Sequence, residues 1–85
     1  MNYSLRIKRS ARNEIERIAR SERKRIVDAI DALAHDPFRG TALKGDLRGL
    51  RLIRVGDYRV IYEVLDSSLV VLVIRVRHRR DVYRR

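Results

Sequence analysis

Apolar and polar positions alternate in Tyr3-Ser4-Leu5-Arg6-Ile7, the period of a half-buried strand. The period then changes. Ala11, Ile15, Ile18 and Ala19 recur at helical spacing, with Ser10 placed to cap the helix they define. Ser21 is a second candidate cap. Ile26, Ile30 and Leu33 continue the stripe, and Val27 and Ala34 widen it. Asp36-Pro37 ends this stretch, because a residue before proline avoids the helical region. A strand followed by a helical hairpin is predicted.

Residues 37–49 hold the only proline and all the glycines but Gly56, so this stretch reads as a loop. Residues 50–55, 58–64 and 69–76 read as three strands, joined by Gly56-Asp57 and by Asp66-Ser67-Ser68. Connections so short do not allow crossovers, so the strands form an antiparallel meander. The tail, 77–85, is expected to close in a helical turn. The fold class expected is α+β, one domain over 1–85, with helices on one face of a small sheet. Period two gives the middle strand a core face of Tyr58, Val60, Tyr62 and Val64 and an opposite face of Arg59, Ile61 and Glu63. In the last strand it puts Val71, Val73, Arg75 and Arg77 on one face.

Composition changes the picture in one respect. The chain has 85 residues, 45% of them hydrophobic, too apolar for a disordered basic tail. Yet 38% are charged, against about 25% in ordinary domains, and the formal net charge is +10. Only Lys8, Lys24 and Lys44 are lysines; the other basic residues are arginines, the better fork for phosphate. The balance points to an acidic partner, with a lean toward nucleic acid. Absence of cysteine excludes disulfides, thiol nucleophiles and zinc–thiolate sites. The two histidines, His35 and His78, exclude a histidine-rich metal centre, and no cofactor is expected. The longest aliphatic run, 69–74, is far short of the ~20 residues that span a bilayer. No signal-peptide core follows Met1. A cytoplasmic protein with no membrane partner is expected.

Candidate chemistry concentrates in Arg75-Val76-Arg77-His78-Arg79-Arg80-Asp81-Val82-Tyr83-Arg84-Arg85. This reads either as a solvated basic tail or as a phosphate-binding segment whose His and Tyr handle protons. Lys44, in the glycine-rich loop, reads as a solvated lysine or a phosphate contact. The spacing of Gly40 and Gly45 imitates a P-loop, but Asp46 stands where the lysine belongs. Asp57 reads as a turn former and His35 as a helix-end residue. Glu14, Glu16, Glu22, Asp28 and Asp31 interleave with arginines and read as solvated pairs along helix faces.

Three features together resemble a known family. They are the order strand, helical hairpin, Leu43-Lys44-Gly45 loop and meander; the run Arg54-Val55-Gly56-Asp57-Tyr58-Arg59-Val60-Ile61-Tyr62-Glu63-Val64; and His78-Arg79-Arg80-Asp81-Val82-Tyr83-Arg84 near the C-terminus. Over nearly its whole length the chain resembles the RelE/ParE superfamily of bacterial and archaeal toxins, on the RelE side. The resemblance implies a ribosome-dependent endoribonuclease that cuts mRNA in the A site without a metal. It also implies a cognate antitoxin, acidic in its toxin-binding segment, and a toxin–antitoxin complex that binds operator DNA. Carried over by position, Arg59 stabilises charge on the scissile phosphate and Arg79 protonates the leaving group. Tyr83 is the general base, with His78 sharing the proton work, and Lys44 binds RNA backbone. Phosphate contacts are expected to extend to Arg51, Arg54, Arg75, Arg77, Arg80 and Arg84. Two departures stand out. Strand lysines of some RelE proteins are replaced here by Leu50 and Leu52, and the segment between Arg79 and Tyr83 is shorter than in some members. The alternative is a ParE-like toxin, which shares the fold and inhibits DNA gyrase without cutting RNA.

Overall fold

A computed structural model describes residues 2–81. β1 (Ser4–Ile7) leads into α1 (Arg9–Glu16) and α2 (Arg20–Ala32). β2 (Thr41–Ala42) and a 3-10 turn (Gly45–Leu47) follow. β3 (Arg51–Val55), β4 (Tyr58–Leu65), a second 3-10 turn (Asp66–Ser68) and β5 (Val70–His78) complete the order. The sheet is five-stranded, in the order β1-β5-β4-β3-β2. The meander predicted from 50–76 is present as β3, β4 and β5, all antiparallel. Two pairings were not legible in the pattern. β1 joins β5 in parallel, from Ser4↔Val70 to Ile7↔Val73, and the loop contributes β2 against β3.

Neither expected serine cap forms. The N-caps are Lys8 and Ala19, and no side chain bonds to either helix end. The Lys8 N–H still continues the β1 ladder onto the Val73 carbonyl (2.9 Å), so α1 starts at the next residue and Ser10 falls inside its first turn. Packing sets the break between the helices. Ile15, Ile18 and Ile26 are all buried in the one core, and the chain tightens through Arg17 N–H to Glu14 O and Ile18 N–H to Ile15 O. The tail differs from expectation at its start: β5 runs on to His78, because Arg77 and His78 pair with Arg59 and Tyr58, and the rest of the expected helical turn, 82–85, lies outside the described residues.

The helices cover one sheet face. Ala11, Ile15, Ile18, Ile26, Ile30 and Leu33 meet Val60, Tyr62, Val71, Val73 and Val76 in one cluster. Each fully buried branched side chain here contributes about 1.5–3 kcal/mol. Tyr62 is fully buried yet its polar end is satisfied: the hydroxyl accepts from Gly40 N–H (3.1 Å) and donates to the Pro37 carbonyl (2.8 Å). Arg51 holds the same loop, donating to the carbonyls of Phe38 (2.9 Å) and Gly40 (2.7 Å) under the Phe38 ring. Among the described residues, no helix is long and apolar enough to cross a membrane.

A β-bulge reverses the predicted face of the last strand. Tyr62 pairs with Val73 but Ile61 pairs with Arg75, so Ile74 is skipped and the alternation flips. Val71 and Val73 point to the core before the bulge, and Val76 does so after it. Arg75 and Arg77 therefore leave the face of Val71 and Val73 and join that of Arg59 and Ile61.

The N-terminal strand is tied to the second 3-10 turn by Tyr3, whose hydroxyl donates to Asp66. That bond first, and burial second, raise the Tyr3 pKa above its ordinary 10.0. The folded chain thus holds this proton where the unfolded chain has lost it. Stability from the contact is complete below about pH 10 and is lost as pH rises through the raised value. Urea midpoints should fall on the alkaline side, and less steeply for Tyr3→Phe. Equal slopes would remove Tyr3 from the account.

Candidate functional site

Cross-strand register places three arginines in a row on the sheet face opposite the core. Arg54 of β3 pairs with Arg59 of β4, and Arg59 pairs with Arg77 of β5. Residues directly opposite have Cβ atoms about 4.5–5.5 Å apart, where like charges destabilise a sheet. The next row is Leu52, Ile61 and Arg75, an apolar floor with one further cation. Neighbouring fixed cations with an apolar floor suit a polyanion with flat, apolar groups, which an RNA strand is.

Arg54 and Arg59 also line a groove of ≈ 690 Å³ that takes in Arg39, Thr41, Leu43 and Leu52 and reaches round to the core-side Ile53 and Val55 and to Ala29 of α2. Arg39 was missed by sequence reasoning. It lies in an irregular loop with no period, so only the fold brings it to the groove that Arg54 and Arg59 line. Lys44 is exposed just before the first 3-10 turn, next to the groove-lining Leu43. Arg51 is not brought to this face. Opposite Tyr62 in the register, it spends its guanidinium on loop carbonyls.

The chain turns sharply after β5, held by its own polar groups. Arg79 N–H donates to the Asp57 carbonyl (2.6 Å), and Arg79 Nε lies 3.8 Å from the Asp57 carboxylate. Asp57 thus occupies a turn, as expected, and also anchors Arg79. His78 N–H donates to Asp81 (3.1 Å), and Arg80 N–H donates to His78 Nδ1 (3.1 Å). With Nδ1 accepting, the neutral imidazole carries its proton on Nε2, available to a ligand. The Tyr58 ring meets His78 edge-on at 5.1 Å. Burial, and then Glu22, Asp57 and Asp81, raise the Tyr58 pKa. Its phenol stays protonated at neutral pH and is unsuited to act as a base. Arg80 is exposed on the turn. Tyr83 and Arg84 lie outside the described residues.

Glu14 departs from the solvated helix-face pair expected of it, a form that Lys24 and Asp28 do adopt at 3.0 Å. It reaches β5 instead, accepting from Val76 N–H (2.8 Å) and lying 3.1 Å from Arg77 Nε and 3.6 Å from Arg75. No group of three or more His, Cys, Asp or Glu that could hold a metal ion occurs among the described residues.

Helices on one face and an arginine row on the other define a small α+β domain with a basic open sheet, and comparison with known proteins gives that domain a family. The chain belongs to the ParE toxin family of type II toxin–antitoxin systems (parDE), whose model matches residues 5–83, and thus to the RelE/ParE superfamily. Toxin RelG of Mycobacterium tuberculosis is 33% identical over 87 aligned positions, with all of both chains covered. Toxin RelE of the same organism is 32% identical, with 96% of this chain and 87% of that one covered. A RelBE toxin–antitoxin complex from M. tuberculosis contains a chain with the same fold. Its TM-score is 0.87 at 29% identity, with 95% of each chain covered. The protein is a type II toxin of the RelE/ParE superfamily.

Proposed function

We propose that the chain, acting as one unit over 1–85, is a ribosome-dependent endoribonuclease that cleaves mRNA in the A site and so halts translation in the cytoplasm. The observation that carries this reading is the row Arg54–Arg59–Arg77 on one open sheet face. The RNA supplies its own nucleophile. Its 2′-oxygen forms a bond to phosphorus, the bond to the 5′-oxygen breaks, and a cyclic phosphate and a 5′-hydroxyl result. The step needs no metal, only donors for the charge that builds on the phosphate oxygens. Arg59, central in the row, takes that part. Arg79, held at the turn by Asp57, delivers a proton to the departing 5′-oxygen; His78, paired with Tyr58 on the helix side of the sheet, is turned away from the arginine row and does not share that work. Tyr83 accepts the 2′-hydroxyl proton, its phenolate favoured by the arginines around it in sequence. Lys44, Arg75, Arg80 and Arg84 dock the ribosomal and messenger RNA.

A toxin of this kind requires an antidote. The similar M. tuberculosis chain was crystallised as a toxin–antitoxin complex, which supports a cognate antitoxin; the basic face of this chain suits an acidic segment of that partner. The resulting pair binds operator DNA.

Expression in cells followed by primer extension on translating ribosomes tests the reading. In-frame cuts within coding regions, suppressed by the antitoxin, are expected. Intact mRNA with an SOS response would instead assign the chain to gyrase inhibition, the reading that the ParE family match favours.

Docking on phosphates makes affinity steeply salt-dependent. Arg54→Ala should weaken ribosome binding and lower the log–log salt slope by about 0.7–0.9 for one lost phosphate contact. Titrations at several salt concentrations check this, and an unchanged slope would place Arg54 off the RNA.

A further inference from the structure

We propose that Glu14 is a positioning residue for the arginine face, holding Arg77 of the row and the neighbouring Arg75 in the orientation that seats the RNA for cleavage. The inference rests on the endoribonuclease reading and adds to it a residue from the first helix, far from the site in sequence.

The geometry divides the two carboxylate oxygens between two tasks. The β1 ladder along β5 ends at Val73, because α1 begins at Arg9. The bulge then makes Val76 the next residue whose N–H faces this abandoned edge. Glu14 Oε1 takes that donor at 2.8 Å, so the sheet edge fixes the carboxylate. Oε2 is left facing the two arginines that flank Val76, at 3.1 Å from Arg77 Nε and 3.6 Å from Arg75. Contact at Nε engages the stem end of the Arg77 guanidinium and leaves its terminal nitrogens as donors to a ligand. The Glu14 side chain is only 22% exposed, whereas Arg77 is 39% and Arg75 46% exposed. The anion is shielded and its cations remain open to solvent.

An acid beside an RNA-binding face weakens binding by simple charge. It is useful there only if the order it imposes is worth more than the attraction it removes. That conflict separates positioning from the two other roles a carboxylate could have. Glu14→Gln keeps an oxygen for Val76 N–H and loses the charge that holds the arginines. Single-turnover cleavage at saturating mRNA-programmed ribosome should slow about 10- to 100-fold. Binding to ribosomes carrying a 2′-deoxy, uncleavable mRNA should stay equal or tighten. The same substitution in an Arg75→Ala/Arg77→Ala background should slow cleavage no further, because the carboxylate acts through these two arginines.

Weaker binding together with a lower thermal midpoint would make Glu14 a structural residue and overturn the proposal. Equal or faster cleavage with tighter binding would make it a charge brake and overturn it equally. Arg side-chain NMR of the free protein gives a readout independent of catalysis. The Arg77 Nε–H should exchange slowly in the parent and at the solvent rate in Glu14→Gln. Equal exchange in the two would overturn the positioning itself. A parent that never cleaves on ribosomes, yet shows the exchange difference, would instead overturn the endoribonuclease reading and keep the geometry.

Discussion

Arg59→Ala should lower ribosome-dependent mRNA cleavage by at least about 100-fold, the loss typical of removing a preorganised donor to transition-state charge, and leave the protein folded. Arg59 is the central member of a row in which each neighbour is also an arginine. The strand backbone fixes its stem, and it projects from the face that the helices leave uncovered. A truncated side chain there opens no cavity in the cluster formed by Val60, Tyr62 and Val76. Arg59→Lys keeps the charge and loses the planar fork, so it should recover only part of the rate. Single-turnover cleavage and circular dichroism on the same preparations separate catalysis from folding. Full activity in Arg59→Ala would remove this residue from the chemistry.

The largest effect on stability is expected at Gly40, which binds the groove-lining loop to the core. A Cβ at this position would sit 2.6 Å from the Tyr62 hydroxyl oxygen and 2.8 Å from the Leu52 carbonyl oxygen. Neither can yield easily: Tyr62 is fully buried, and Leu52 is in β3 opposite Thr41. Gly40→Ala should cost about 3 kcal/mol through overpacking and the displaced hydroxyl. For a domain of 85 residues, with stability of roughly 0.05–0.15 kcal/mol per residue, that is a large share of the whole. Tyr62→Phe should cost about 1–3 kcal/mol, because Gly40 N–H and the Pro37 carbonyl lose their buried partner. In the Phe background Gly40→Ala should cost less than in the parent, since the nearest clashing atom is gone. Urea unfolding of the four proteins measures this coupling, and strictly additive losses would contradict it.

These two residues also show what the sequence could and could not convey. Period two placed Tyr62 on the core face correctly, because alternation along one strand is a local property. Its bonds to Gly40 and Pro37, more than 20 residues earlier, depend on how the loop folds back. The bulge at Ile74 is the clearest case. One skipped residue moved Arg75 and Arg77 onto the arginine face, and nothing in an unbroken aliphatic run marks where a ladder slips. Glu14 reads as an ordinary helix-surface acid until β1 ends and exposes Val76 N–H beside it. Arg51 shows the reverse: basic and close to the motif, it is turned to the loop by its register. Local pattern thus predicted the hairpin, the meander and the face on which Arg59 stands. Strand pairing, set by long-range contacts, decided which other arginines stand beside it.

The most direct test of the central claim uses purified protein and purified ribosomes carrying a defined mRNA with an empty A site. The account predicts a single cut within the A-site codon, leaving a 5′-hydroxyl on the downstream fragment, with the same mRNA left whole when ribosomes are omitted. Uncut mRNA on ribosomes that have bound the protein would contradict it.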